Sequence, residues 1–86
     1  MPEICRFLGI VIAMYYNEHK PPHFHAKYSE FRAAFSIESL QLMEGQMPAR
    51  VISLILEWAF EHRKELLEDW ELSERKEQLK KIAPLV

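Results

Sequence analysis

The sequence predicts an α+β fold: a small antiparallel β-sheet of about four to five strands, packed against one long C-terminal α-helix. Three observations carry that expectation. Between Ile4 and Glu44 apolar residues fall in short β-branched and aromatic runs, several of them alternating with polar neighbours. From Ala49 to about Leu72 they recur at helical spacing instead. Between the two regions stand Gly45 and Pro48, and Pro48 suits a helix's first turn, where a missing N–H costs nothing.

Taken in order, Ile4 to Phe7 reads as a short strand leading through Gly9 into a central strand, Ile10 to Tyr16, that stops at Asn17. Both alternating faces of that run are apolar, so both sides are expected to be covered, one by the helix and the other by a partner chain. Asn17 to Pro22 reads as a turn, because paired prolines cannot donate to a ladder. The strand His23 to Tyr28 alternates, with His23, His25 and Lys27 on one face and Phe24, Ala26 and Tyr28 on the other. After Ser29-Glu30, the residues Phe31, Ala33, Phe35 and Ile37 again recur every second position. Leu40 to Glu44 makes one more strand, ended by Gly45. The helix, about 48–72, gathers Ile52, Ile55, Leu56, Ala59, Leu66, Leu67 and Trp70 on one stripe. Before Pro84, residues 79–83 fit a final edge strand better than a longer helix.

Eighty-six residues suffice for one core, so a single domain spanning 1–86 is expected, and a homodimer would help a core so small. An apolar share of 49% with only two glycines argues against disorder. The lone Cys5 can form no internal disulfide, and no zinc-finger spacing of Cys and His is present. The longest apolar run is about half of the roughly 20 residues that span a bilayer, so a cytoplasmic protein with no membrane contact is expected. Acids and bases balance at five each over residues 1–50, and the net charge is −2. Without a cluster of Lys and Arg, duplex DNA is not an expected partner.

The chemistry-bearing residues gather around His19, His23 and His25. His23 and His25 lie two apart on a strand, so their imidazoles project from one face about 6 to 7 Å apart at their bases, within reach of one ion or phosphate. His19 lies in the preceding turn. The spacing of His23, His25 and Glu30 reproduces that of metal-binding cupin barrels, but those barrels need more strands and a further downstream ligand. No cofactor or metal is expected; if an ion binds, His23, His25 and His62 are the ligands foreseen. Arg63 falls in the centre of the helix's apolar stripe with His62 at its margin. A charge there must either find an internal partner or serve an anion. With His23 and His25 it would equip phosphodiester cleavage, one His as base, one as acid, and Arg63 stabilising charge. Trp58, at the stripe's edge, belongs to the core or to an interface.

The string Tyr15-Tyr16-Asn17-Glu18-His19-Lys20-Pro21-Pro22-His23-Phe24-His25-Ala26-Lys27-Tyr28 resembles a small bacterial family catalogued as a domain of unknown function, DUF4160. The likeness extends to Phe7-Leu8-Gly9-Ile10, Glu44-Gly45 with Pro48, Glu57-Trp58-Ala59, His62-Arg63, Trp70, and Lys81 to Leu85. Glu18 stands where relatives often have Asp, which keeps the charge. The resemblance implies a gene layout like that of toxin–antitoxin pairs, hence a small protein partner encoded nearby. It also implies that His19, Pro21, Pro22, His23, Phe24 and His25, with His62 and Arg63, are the positions that matter. The leading expectation is therefore a member of a toxin–antitoxin-like module that acts through a protein interface, with RNA-directed, metal-independent acid–base chemistry at His23, His25 and Arg63. A non-enzymatic binding module, presenting the His-Pro-Pro turn and Trp58 to its partner, is the alternative. A small metal-binding protein is the third.

Overall fold

A computed structural model describes residues 2–86. Five strands form one antiparallel sheet in the order of the sequence: β1 (Glu3–Phe7), β2 (Ile10–Ala13), β3 (His23–Tyr28), β4 (Phe31–Ser36) and β5 (Leu42–Gln46). Two helices follow, α1 (Ala49–Glu61) and α2 (Arg63–Glu74). The β1–β2 hairpin closes on two residues, Leu8 and Gly9, both at positive φ. That is the twist a two-residue hairpin turn requires.

Strand alternation sorts the side chains. Ile10, Ile12, Phe24, Ala26, Ala33 and Phe35 point inward and meet Val51, Ile55, Trp58, Ala59, Leu66 and Trp70 of the helices. Trp58 sits at the centre, 5.8 Å from Phe7 and 5.9 Å from Phe24 between ring centroids, while Phe24 stacks on Phe35. Its indole N–H donates to the Ala83 carbonyl at 2.8 Å.

The expected single helix is two helices. The break falls at His62, whose φ of −118° and ψ of 21° leave the helical region. No Gly or Pro marks it. The break carries a side-chain pair instead: His62 Nδ1 meets Glu65 Oε1 at 2.5 Å, three residues on, while the His62 backbone N–H donates to the Trp58 and Ala59 carbonyls and closes α1. The acid also lies in the first turn of α2, where the helix dipole favours it. α2 ends in a Schellman turn, with Glu77 N–H on the Leu72 carbonyl, Lys76 N–H on Ser73, and Lys76 at positive φ.

Three further expectations are corrected. The run Ile10 to Tyr16 is a strand only to Ala13, though it is internal to the sheet as expected, paired with β1 and β3. Gly45 does not end the last strand but lies within it, at φ 86° and opposite Ala33, while the register shift falls at Met43, between the Ala34–Glu44 and Phe35–Leu42 pairs; a Cβ at Gly45 would lie 2.2 Å from the Arg32 carbonyl oxygen. Residues 79–83 form no strand. They run beside β1 with one ladder-like bond, Ile82 N–H to the Ile4 carbonyl at 2.8 Å, and Ile82 is buried. Among the described residues no helix is long and apolar enough to cross a membrane.

Candidate functional site

The outer face of the sheet, away from the helices, is paved by the other alternate residues. Two rows cross it: Val11, Lys27, Arg32 and Gln46 are in register, and beside them Ala13, His25, Ala34 and Glu44. Ala13 and Ala34 are small and buried, so the face is hollow rather than flat. The result is a groove of about 390 Å³ lined by Val11, Tyr15, His25, Lys27, Arg32 and Glu44 over that alanine floor. Such a volume falls in the range of small-ligand sites.

At one end of the groove the β2–β3 loop folds back over β3. It brings Glu18 to both strand histidines: His25 Nε2 is 2.5 Å and His23 Nε2 3.6 Å from Glu18 Oε1. The two imidazoles meet edge to face at 5.2 Å, and Tyr15 packs on His25 in the same manner at 4.6 Å. His23 Nδ1–H donates to the Pro21 carbonyl at 2.8 Å. A carbonyl only accepts, so that bond fixes the proton on Nδ1 and leaves the Nε2 lone pair of neutral His23 facing a carboxylate oxygen. A cation between them, a proton or a metal ion, would satisfy both, and His25 Nε2 lies against the same carboxylate oxygen. One ligand atom from each of Glu18, His23 and His25 lies within 4.8 Å of the others, the closeness a shared ion requires.

The cluster is firmly backed. His23 is buried and its ring lies 5.2 Å from Trp70 of α2, which is itself core. The prolines of the turn act from behind: Pro21 supplies the carbonyl for His23, and Pro22 accepts the Ile37 backbone N–H at 3.0 Å.

The structure divides the residues singled out in the sequence. His23 and His25 converge as expected, with the missing third member supplied by Glu18 rather than by His62. His62 packs on Trp58 and pairs with Glu65, and Arg63 lies over the Phe60 ring at 5.9 Å. Trp58, Glu65 and Phe60 all belong to the helices. Arg63 is seven residues from Trp70 on α2, about 10 Å along the axis, so neither it nor His62 joins the histidine pair. Phe24 and Trp58, expected at a binding surface, are fully buried in the core. His19 is exposed on the loop. Glu30 lies in the β3–β4 turn and takes the Ser29 hydroxyl, at the far end of β3 from His23, so the cupin-like spacing assembles nothing.

Glu18 and Arg32 are the residues that sequence reasoning missed. An acid five positions before a strand histidine, across two prolines, was the available signal for the first. For Arg32 it was parity, since inward Phe31, Ala33 and Phe35 were separated by an outward residue.

The family model for the domain of unknown function DUF4160 matches residues 9–71. This chain belongs to that family. The matched segment of this DUF4160 chain runs from the β1–β2 turn into α2 and contains Glu18, His23, His25, Lys27 and Arg32. No curated protein and no solved structure matches the chain.

Proposed function

We propose that this DUF4160 protein holds a divalent first-row transition ion at Glu18, His23 and His25, and that the ion serves as a Lewis acid in hydrolysis of a phosphodiester such as RNA. One observation carries the reading: the Nε2 lone pair of His23, fixed by the Pro21 carbonyl, is aimed at the carboxylate that also meets His25. Two imidazoles and a carboxylate suit zinc or ferrous iron, and three protein ligands leave room for water on the ion. An ion held there would lower the pKa of a bound water toward neutral and so would supply the nucleophile. A regulating partner encoded nearby follows from the two-gene layout that the family resemblance implies, and RNA is the phosphodiester proposed for the centre.

A second reading is favoured by the 2.5 Å contact of His25 with Glu18. There a proton takes the cation's place, Glu18 orients His25 as a general base, and His23 acts as acid with no metal. Elemental analysis of protein purified without an affinity tag separates the two. The metal reading expects about one ion per chain, lost in Glu18→Gln and in His25→Ala while circular dichroism stays unchanged, and RNA cleavage abolished by chelator. Metal-free protein whose cleavage survives chelator but not His23→Ala or His25→Ala overturns it in favour of the acid–base pair. Protein with neither metal nor cleavage, which retains the neighbouring gene product in a pull-down, would be the binding module.

A further inference from the structure

The outer groove holds a second feature, a like-charge pair with no counterion. Lys27 of β3 and Arg32 of β4 are directly opposed in the ladder, and both are exposed. Opposed like charges on neighbouring strands destabilise a sheet, so such pairs normally carry an acid beside them. Among the described residues neither cation has an ion pair. Glu44, the acid on this face, is aligned with Ala34 and stands diagonal to Arg32, outside ion-pair range. The repulsion is therefore left standing in the middle of the sheet.

Its position is what gives it meaning. His25 precedes Lys27 by two residues, which places both side chains on one face about 6 to 7 Å apart, and Arg32 is diagonal to His25 across the β3–β4 ladder. Lysine and arginine stems are long enough to bring an ammonium and a guanidinium over the alanine floor toward Glu18, His23 and His25. Arg32 offers a fork that matches two oxygens of a phosphate, and Lys27 a point charge. Tyr15, on the opposite side of His25, provides a ring against which a base or sugar can lie.

We propose that Lys27 and Arg32 bind the phosphoryl group of a phosphate ester in this groove and hold it against the Glu18–His23–His25 centre. The inference deepens the hydrolytic reading by assigning a recognition site, yet the cation pair stands on its own geometry and is tested apart from the metal. The volume fits one nucleotide, and the same phosphoryl chemistry is offered by a mononucleotide and by a segment of single-stranded RNA.

The experiment is calorimetric titration of the full chain, as purified and after chelation, with inorganic phosphate, a nucleoside monophosphate and a short single-stranded oligoribonucleotide. Lys27→Ala and Arg32→Ala are expected to weaken phosphate binding about tenfold each with metal content unchanged, whereas Arg50→Ala, which removes a charge from the helix layer, leaves it unaltered. Monophosphate binding as tight as the oligonucleotide's identifies a small ester. Tighter oligonucleotide binding that falls with salt identifies RNA. Equal losses for Arg50→Ala and Arg32→Ala, or undiminished binding in the Lys27→Ala/Arg32→Ala double variant, overturn the site. Phosphate binding by chelated protein that still depends on Lys27 and Arg32 keeps it, even where the metal reading has failed.

Discussion

The two faces of the sheet are built from alternate residues of the same strands. Facing the helices, Ile10, Ile12, Phe24 and Phe35 are fully buried around Trp58. Facing outward, the same strands present Val11, His25, Lys27 and Arg32 around two small alanines. Burial of large side chains contributes stability at about 25 cal/mol per Å² of apolar area; the outer face contributes little of that kind. Folding and chemistry are thus assigned to opposite parities of one sequence, and each can be disturbed without the other.

The strongest way to break that division is from the inside. Trp58→Ala should remove the aromatic centre and the bond to Ala83, destabilising the fold by about 3–5 kcal/mol in denaturant titration. Any loss of ligand binding in that variant should track unfolding.

Between the faces lies the backbone itself. Gly45→Ala places a Cβ against the Arg32 carbonyl at positive φ, and a cost of about 1–3 kcal/mol is expected. Gly9→Ala meets only the Tyr28 ring edge at 3.6 Å and should cost less, nearer 1 kcal/mol. Equal midpoints for the two variants would refute the close approach of the Arg32 carbonyl as the source of the difference.

Asp69 sharpens the comparison through pH. Its carboxyl is buried, accepts the Lys80 N–H at 2.9 Å, and is pushed above the usual carboxylate range by loss of water. A raised folded value means stability present in acid and lost as pH rises from the ordinary value of 3.8 through the folded one. Asp69→Asn should therefore flatten the stability profile across that window. An unchanged profile would show that Asp69 is not its source.

The smallest stability effect should come from the outer face. Glu18→Gln and Lys27→Ala are expected to shift the unfolding free energy by no more than about 0.5 kcal/mol, while binding in the groove changes severalfold.

Much of this was legible beforehand because alternation and helical spacing are local. His23 and His25 were placed on one face with Lys27, and Phe24 opposite, by parity alone. Arg32 was within reach of the same parity, whereas Glu18 depended on chain reversal. The loop from Met14 to Pro22 carries Glu18 back over β3, and no periodicity encodes where a loop returns. The helix break was equally hidden, because His62 and Glu65 lie inside an uninterrupted helical pattern. Arg63 looked like a site residue only while the helix was assumed straight; next to the break it covers Phe60 instead.

The bond from Ile82 to Ile4 has a bearing on assembly. A five-stranded meander has two free borders, and here the C-terminal segment occupies the one at β1 while β5 is exposed along its whole length. Strand-wise growth into fibres needs both borders open. With the β1 border partly covered by that segment, pairing of β5 with its own copy would join two molecules about a twofold axis and leave no second β5 edge to extend.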